Sequence, residues 1–560
     1  MMMSMIKRIF AILLTVAMLV CVLTACNTSK NAQKVNNTSL YNNTDSSLDT
    51  QQYQTLTNVT ITCGSSAIES YAAAELRWYF LKKNVTVSDE GYPIEVKIDT
   101  RIAKNGYKIL SDDTGLVIAG GDERGLAYGL YSFLEKFLGV HIYSPDTEVI
   151  DNGDVVIGYG VLDAYTPAFQ VIRNPWYPIE RLAEKNGGNI RESGTAKTLA
   201  INALTGAGEL QPCFTNPESL SKAIQTVKNY LRAIKNVDVL CFTPASEVDL
   251  YCTCDDCTRI HEEEGSPAGV YVRFLNALTE AISADYPELQ FELTIRAYLQ
   301  KAPTQTKLSD RISIRYNTER CHISHPVNDA SCPDAVSFAE SVAGWSAICN
   351  NVHVEYNLTA TKDFIPVFAN LGSLRQDMCF FAECGVSSIT FDGNIVCPTG
   401  EFGELRLYLI AKLIQNPTMS EEEYYAYMDS FLEDYYGEGW TYIRKFIDKI
   451  IELSADGHQL ANGSPFDAIT QEEYLANEKD FDEWWNMAES LAGDRIEYVK
   501  RARYQWRYIK LCLHPNAEDA LALITDAAAG QRVGWREKQW NVDKDKSNLA
   551  LSPFEWTYKS

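Results

Sequence analysis

Two acidic residues in the middle of the chain have the type and the placement of catalytic groups. Glu247 and Asp249 follow segment 237–243, whose apolar residues predict a buried strand. A helix is predicted soon afterwards, at about 268–284. A strand, an acidic loop and a helix in this order are typical of barrel enzymes, which place carboxylates at the C-terminal ends of their strands. Carboxylates in that position suit acid/base chemistry on a sugar.

Three further acidic residues follow or end predicted strands. Glu319 comes just after the strand Ile312–Tyr316, and Glu355 and Asp392 lie at or near two further strand ends. Two carboxylates about 5–10 Å apart can serve as general acid and as nucleophile or base. We therefore expect Glu247 to be the general acid, with Glu355 or Asp392 as nucleophile or base. The alternative for Glu319, Glu355 and Asp392 is a salt bridge with an arginine such as Arg296, Arg315 or Arg320, and the alternative for Glu247 is a solvated acid in a loop.

Three cysteines, Cys252, Cys254 and Cys257, follow Glu247 in the pattern C-x-C-x-x-C. They could bind a structural zinc ion together with a fourth ligand from elsewhere in the chain. Alternatively, two of them form a disulfide, or all three remain reduced thiols. A metal here would hold the loop that presents Glu247, and the predicted chemistry requires no other cofactor. Candidates for the fourth ligand are Cys321, Cys332 and His322.

Other side chains are predicted to contact the substrate around these acids. His322 and His325 could bind sugar hydroxyls or a substrate carboxylate, and the alternative for each is a structural histidine. Tyr298 and Tyr356 could line the cleft, because aromatic rings stack on sugar faces. Asp249 and Glu319 complete the predicted substrate-binding set.

Strand and helix patterns alternate from about residue 165 to residue 418, which is typical of a parallel α/β sheet. The length suits an eight-stranded barrel. The predicted strands are Ala168–Ile172, Val237–Thr243, Phe291–Tyr298, Ile312–Tyr316, Val352–Tyr356 and Ser388–Asp392. The predicted helices between them are Pro217–Ile234, Ala268–Ala284, Asp334–Ile348 and Ile365–Cys384.

The predicted fold class is α/β, a (β/α)8-type barrel preceded by a small α/β domain and followed by an α-helical domain. Its predicted parts are a lipoprotein signal peptide and lipobox at 1–26, a flexible polar tether at 27–53, the small α/β domain at 54–150, the barrel at 151–418 and the helical domain at 419–560.

The first residues predict export. Lys7 and Arg8 precede the apolar run Ile9–Val22, which is too short for a confident membrane span. Leu23-Thr-Ala-Cys26 resembles a bacterial lipobox, which implies lipidation of Cys26. The alternative is an ordinary secretory signal that happens to contain a cysteine. We expect the protein to lie outside the cytoplasm, anchored by lipid to the bacterial cell membrane.

The composition excludes some partners. The net charge of −24 argues against nucleic-acid binding, which needs a basic face. The chain has 15 cysteines. If Cys21 leaves with the signal peptide and Cys26 is lipidated, an odd number remains, so disulfides within one chain cannot pair all of them.

Two regions resemble known families. Segment 116–129, with its Gly-Gly-Asp-Glu-Arg-Gly turn, resembles the small non-catalytic domain that precedes the barrel in family 20 β-hexosaminidases and in α-glucuronidases. The barrel region resembles the uncharacterised DUF4838 family. The motifs that support this second resemblance are Gln211–Asn216, the cysteine pattern Cys252–Cys257, Arg320–His325 and Glu404–Pro417.

These resemblances and the placement of the acids together predict a surface lipoprotein of the glycoside hydrolase type. It would hydrolyse glycosidic bonds in an extracellular glycan by carboxylate acid/base chemistry. The alternative is a catalytically inactive, carbohydrate-binding lipoprotein. A metal-dependent hydrolase would need a cluster of His and Asp residues, which the sequence alone does not reveal.

Overall fold

A computed structural model describes residues 53–144, 147–169, 171–173, 196–200, 205, 212–234, 237–244, 251–360, 365–392 and 401–529. All of them belong to one compact unit, Tyr53–Ser560. Glu247, Asp249 and Cys26 lie outside the described residues, as do the predicted signal peptide and nearly all of the predicted tether. Within the described ranges, no helix combines the length and the apolar character that a membrane span requires.

The first part of the unit contains a six-stranded mixed sheet in the order β10-β5-β6-β4-β2-β3. Short antiparallel pairs, β1 with β9 and β7 with β8, accompany this sheet. The strands are β1 (Tyr53–Thr55), β2 (Asn58–Cys63), β3 (Thr86–Val87), β4 (Tyr92–Ile98), β5 (Tyr107–Ser111), β6 (Leu116–Gly120), β7 (Val140–Ser144), β8 (Thr147–Ile150), β9 (Val156–Gly158) and β10 (Gly160–Tyr165).

Two helices, α1 (Ala67–Lys82) and α2 (Glu123–Leu138), pack against the six-stranded sheet and against one another. Helix α1 begins at a capping box, in which Ser66 and Glu69 satisfy each other's backbone N–H groups. Helix α2 ends at Gly139, whose φ of 63° is left-handed and therefore favours glycine. The apolar faces of both helices and of the sheet form one core, which includes Leu76, Phe80, Ile118 and Phe133.

The central part contains a seven-stranded, all-parallel sheet in the order β11-β17-β16-β15-β14-β13-β12. Its strands are β11 (Val171–Arg173), β12 (Ala196–Ala200), β13 (Val239–Thr243), β14 (Gln290–Thr294), β15 (Ile312–Asn317), β16 (Val352–Asn357) and β17 (Ser388–Asp392). The helices of this part are α3 (Pro217–Ala233), α4 (Asp255–Glu264), α5 (Ala268–Ser283), α6 (Pro333–Ser346), α7 (Leu374–Glu383) and α8 (Gly403–Gln415).

The strand order is the one expected for a parallel sheet that curls towards a barrel. Strands β12 to β17 are neighbours in chain order, and the first strand, β11, pairs with the last, β17. Among the described residues, no pairing joins β11 to β12. The mixed α/β class is therefore confirmed, while a closed eight-stranded barrel stays a prediction.

The last part is helical. Its helices are α9 (Glu421–Tyr436), α10 (Trp440–Ser454), α11 (Gln471–Leu491), α12 (Ile496–Ala502), α13 (Tyr504–Leu513) and α14 (Ala517–Ala529). Phe446, Phe481, Trp485 and Trp506 belong to the same hydrophobic core as the residues of the seven-stranded sheet. The helices are therefore packed onto the sheet region rather than separated from it by a linker.

Two segments differ from the predicted elements. Helix α4 was not predicted; it begins within the cysteine pattern, directly after Cys254, and contains Cys257. Its first turn carries Asp255 and Asp256, which suit a helix N-terminus. The predicted helix Ile365–Cys384 is wrong in its first half, because α7 begins only at Leu374. In residues 365–373 the backbone carbonyl of Phe368 accepts from the buried Arg406, so these apolar residues form a buried irregular segment.

Candidate active site and metal-ligand clusters

One face of the seven-stranded sheet is polar. On β15, Ile312, Ile314 and Tyr316 are buried, and the Tyr316 hydroxyl lies 2.7 Å from Ser341 Oγ of α6, so this face contacts the helices. Side chains alternate along a strand, so Arg315 belongs to the opposite face, which would line the interior of the predicted barrel and is called the inner face below. Branched apolar residues usually fill the interior of such barrels. A charged side chain on the inner face therefore marks a candidate site.

Arg315 links two carboxylates on that inner face. Its Nε lies 2.7 Å from Glu292 Oε1 on β14, and its Nη1 lies 3.2 Å from Glu355 Oε1 on β16. Asn317 Nδ2 donates to the other oxygen of Glu355 at 3.2 Å, and Cys241 Sγ donates to Glu292 Oε1 at 3.2 Å. Burial disfavours the charge of Arg315, but the two carboxylates outweigh that effect and raise the pKa of the guanidinium.

The two carboxylates differ in their access to solvent. The side chain of Glu355 is 26% exposed, whereas that of Glu292 is 7% exposed. Because two nitrogens of one guanidinium are about 2.3 Å apart, the nearest oxygens of Glu292 and Glu355 are at most about 8 Å apart. Two-carboxylate glycosidases use separations of this order. Glu355 can reach a ligand, and Glu292 mainly fixes Arg315.

Of the other predicted catalytic residues, the structure describes only the backbone of Asp392, which lies at the same edge of the sheet as Glu355. The backbone of Asp392 pairs with Asn357 at the C-terminal end of β17, two residues beyond the pairing of Glu355 with Thr390. Glu247 and Asp249 lie outside the described residues. Before them, the carbonyl of Pro244 accepts from Arg296 Nη2 at 3.0 Å.

Two of the predicted substrate contacts lie near strand ends. Glu319 is exposed just after β15, and its backbone N–H donates to Asn317 Oδ1 at 2.6 Å. Tyr298 is buried in a 3₁₀ turn after β14. Its ring lies 5.8 Å from that of Tyr251, which is exposed.

Tyr356 lies on the opposite face of β16 from Glu355. Its hydroxyl donates to the buried Asp377 of α7 at 2.6 Å. The sequence places Tyr356 directly after Glu355, and neighbouring residues of a strand point to opposite faces. The structure therefore does not bring Tyr356 to the polar face, and the expectation that its ring lines the cleft is corrected.

His322 and His325 belong to a cluster with Cys332 and His458. One potential ligand atom from each of these four residues lies within 4.8 Å of all the others. The three imidazole rings are steeply inclined to one another, with centroid separations of 4.6–5.6 Å. Burial and the two neighbouring histidines lower the pKa of His322. The structure thus places both predicted substrate-binding histidines in a compact His/Cys group.

Cys252, Cys254 and Cys257 meet a fourth cysteine, Cys213, and the four ligand atoms lie within 4.8 Å of one another. Cys213 Sγ lies 3.8 Å from Cys254 Sγ and 3.9 Å from Cys257 Sγ. Four sulfurs at about 2.3 Å from one zinc ion are about 3.8 Å apart, whereas a disulfide needs about 2.05 Å. The four residues are free thiols and fit a tetrahedral zinc ion.

Two of the residues that the predictions missed carry partial signals in the sequence. Cys213 stands in one of the motifs that support the DUF4838 resemblance, but its distance along the chain hides its contact with Cys257. Glu292 is an isolated acid inside the apolar strand β14, which could have marked it as a partner of an inner-face cation. For His458 the chain shows no local pattern, because it lies in a connecting segment far from His325.

Residues 197–448 match the model of the family described as a domain of unknown function, DUF4838, so the predicted resemblance is confirmed for that segment. No curated protein matches the chain in sequence.

Several solved structures are similar to this chain at low identity, and three of them follow. A family GH115 4-O-methyl-α-glucuronidase with specificity for decorated arabinogalactans is 12% identical, with 87% of this chain and 78% of that chain covered and a TM-score of 0.45. A GH138 enzyme targeting pectin rhamnogalacturonan II is 9% identical, with 84% of this chain and 91% of that chain covered and a TM-score of 0.38. A GH20 exo-β-N-acetylglucosaminidase from Vibrio harveyi in complex with N-acetylglucosamine is 10% identical, with 69% of this chain and 76% of that chain covered and a TM-score of 0.33.

Proposed function

We propose that the protein is a glycoside hydrolase that cleaves glycosidic bonds in an extracellular glycan, with Glu355 as its nucleophile or base. The observation that supports this role most strongly is the Arg315 network on the inner face of the sheet. Glu355 stands near the C-terminal end of β16, is partly exposed, and has a donor for each of its two oxygens. A carboxylate that is both oriented and accessible at this edge suits attack on a sugar carbon or on a water molecule.

The proposed reaction needs a second carboxyl group that donates a proton. Glu247 has this role in the proposal, because it comes four residues after the end of β13 in the sequence. In a retaining reaction, Glu247 protonates the leaving oxygen while Glu355 forms the glycosyl bond; in an inverting one, Glu355 activates water instead. Asp392, at the end of the neighbouring strand β17, is the alternative to Glu355.

Side chains around these acids would hold the sugar. Asp249 and Glu319 are proposed to accept hydrogen bonds from sugar hydroxyls. Tyr251, exposed and supported by the ring of Tyr298, offers an aromatic surface on which a sugar can stack. Arg315 positions Glu355 rather than touching the substrate itself.

A second candidate function is carbohydrate binding without catalysis. It is favoured by one specific observation: Arg315 pairs with both of the described inner-face carboxylates, Glu292 and Glu355. A cation so placed can hold acids as part of the architecture rather than for chemistry. Binding of a glycan without release of sugar distinguishes this candidate from the first.

We also propose that Cys213, Cys252, Cys254 and Cys257 hold a structural zinc ion. The ion would fix the start of helix α4 to the segment before helix α3, because Cys254 caps α4 and Cys213 lies shortly before α3. The loop with Glu247 ends next to this cluster in the sequence, so the zinc would restrain the position of the proposed general acid.

Anchoring through lipid on Cys26 is likewise a proposal, supported by the resemblance of Leu23–Cys26 to a lipobox. Its test is expression in a bacterium fed with a labelled fatty acid. We expect label on the wild-type protein and none on Cys26→Ala. Label on both, or on neither, refutes the proposed anchor.

The activity itself is tested by a screen of glycans and aryl glycosides with the purified protein, run beside Glu247→Gln. Release of sugar by the wild type, lost in Glu247→Gln while the circular dichroism spectrum is unchanged, supports the glycosidase and its acid. If no sugar is released from any glycan but one of them binds saturably, the binding protein is the better account.

A further inference from the structure

The cluster of His322, His325, Cys332 and His458 has no role in the proposed hydrolysis. The chain contains 7 histidines, and three of them meet here around one buried cysteine. Imidazole nitrogen and thiolate sulfur are the ligands that zinc and related transition metals prefer.

The loop that carries three of the four residues is fixed by its own hydrogen bonds. Turns close it at Cys321, whose N–H donates to the Thr318 carbonyl at 2.9 Å, and at Cys332, whose N–H donates to the Asp329 carbonyl at 3.2 Å. Between them, the Val327 N–H donates to the buried Asp377 at 2.8 Å. The ligand positions are therefore arranged before any ion binds.

The two ring nitrogens of His325 differ in their surroundings, and one of them is available to a metal ion. His325 is 5% exposed, and its Nε2 has no hydrogen-bond partner among the described residues. Its other nitrogen, Nδ1, lies 3.1 Å from the carbonyl oxygen of Pro326 and 4.0 Å from Asp329 Oδ2. Metal-bound histidines commonly donate their second N–H to a carbonyl or a carboxylate, which orients the ring.

His322 shows the same division between its two nitrogens. Nδ1 lies 3.4 Å from Cys332 Sγ, close to the separation of about 3.6 Å expected for a nitrogen and a sulfur on one tetrahedral zinc ion. Nε2 faces Asp334 Oδ2 at 3.9 Å. One nitrogen therefore points into the cluster and the other faces a carboxylate.

His458 comes from the connection between helices α10 and α11. Its neighbour Gly457 packs against the backbone of Ala468, where a Cβ would come within 2.4 Å, so the glycine permits the close approach. Directly after His458, the carbonyl of Gln459 accepts from the Ile323 N–H of the loop after β15 at 2.9 Å. Contacts in the described backbone thus bring the fourth ligand to the loop after β15.

We infer that His322, His325, Cys332 and His458 form a second metal site, which binds a borderline-soft divalent cation such as Zn²⁺. Four protein ligands complete a tetrahedral shell, so the site is structural rather than catalytic. The ion joins the loop after β15 to the helical part of the chain. His458 is exposed, which gives the ion a way in. In this account His322 and His325 are metal ligands instead of sugar contacts.

The inference is tested by metal content. The full chain is stripped with a chelator, dialysed against Zn²⁺ and analysed by mass spectrometry of the metal. With the cysteine site also filled, the wild type should hold about two zinc ions per chain, and His458→Ala about one. His514→Ala, which alters an exposed histidine in an ion pair with Glu478, is the matched control and should match the wild type. Because His458 is exposed, its replacement should not prevent folding.

A second measurement separates this site from the four cysteines. In a background in which Cys213, Cys252, Cys254 and Cys257 are all replaced by serine, Co²⁺ should still give a thiolate-to-metal charge-transfer band, and the further change Cys332→Ser should abolish it. Zinc content that is equal in the wild type, His458→Ala and Cys332→Ser overturns the inference. None of these readouts depends on sugar hydrolysis, so the proposed function can fail without affecting them.

Discussion

Removal of Arg315 should destabilise the protein far more than its partly exposed position suggests. In Arg315→Met, Glu292 loses its ion-pair partner, and the thiol of Cys241 is the one described side chain that still donates to it. Leaving one member of a buried pair without its partner costs about 3–5 kcal/mol. Glu355 is 26% exposed, so the loss of its contact with Arg315 adds about 1 kcal/mol or less. The expected total is about 4 kcal/mol.

The assay is urea unfolding followed by circular dichroism, with a double-mutant cycle. Glu292→Gln in the Arg315→Met background removes the stranded charge and should restore about 2 kcal/mol or more. Arg259→Met, on the exposed side of helix α4, is the control and should change stability by less than about 0.5 kcal/mol. A loss below about 1 kcal/mol in Arg315→Met, or no recovery in the double variant, refutes the reasoning.

Three further predictions concern buried and clustered groups. Burial raises the pKa of the Asp377 carboxyl to about 7. The stability that its protonated form contributes is therefore present below about pH 4 and lost as the pH rises through 7. In urea unfolding, the unfolding free energy of Asp377→Asn should change less with pH across that window than that of the wild type. Arg406 is fully buried against Glu401, and Arg406→Met should lower the unfolding free energy by about 3–5 kcal/mol in the same assay. Cys213→Ser should lower zinc content by about one ion per chain, whereas the exposed Cys63→Ser should not.

Sequence reasoning located most central strands because parallel strands covered by helices are apolar and short. Strand β17 was predicted with its bounds, Ser388–Asp392, and β15 differed by one residue. The predicted helix at 365–373 was wrong for a physical reason. The segment is mostly buried, and its Phe368 carbonyl accepts a hydrogen bond from the guanidinium of Arg406. No local pattern shows that a distant arginine will donate to this backbone.

The site was harder to predict than the strands. The sequence placed Glu355 near a strand end, but the role of Arg315 as a link between β14 and β16 depends on the order of strands in the sheet. The cysteine pattern indicated three thiols, and the fourth position, Cys213, depends on how helix α3 starts beside helix α4. Clusters built from distant segments are invisible to spacing alone.

The central claim is that Glu355 takes part in cleavage of a glycosidic bond. Its most direct test is the turnover number of Glu355→Gln on a glycan that the wild type cleaves, measured beside Glu340→Gln, an exposed acid on helix α6. The account predicts a loss of about 10³-fold or more for Glu355→Gln and wild-type turnover for Glu340→Gln. Turnover of Glu355→Gln within about tenfold of the wild type would contradict it.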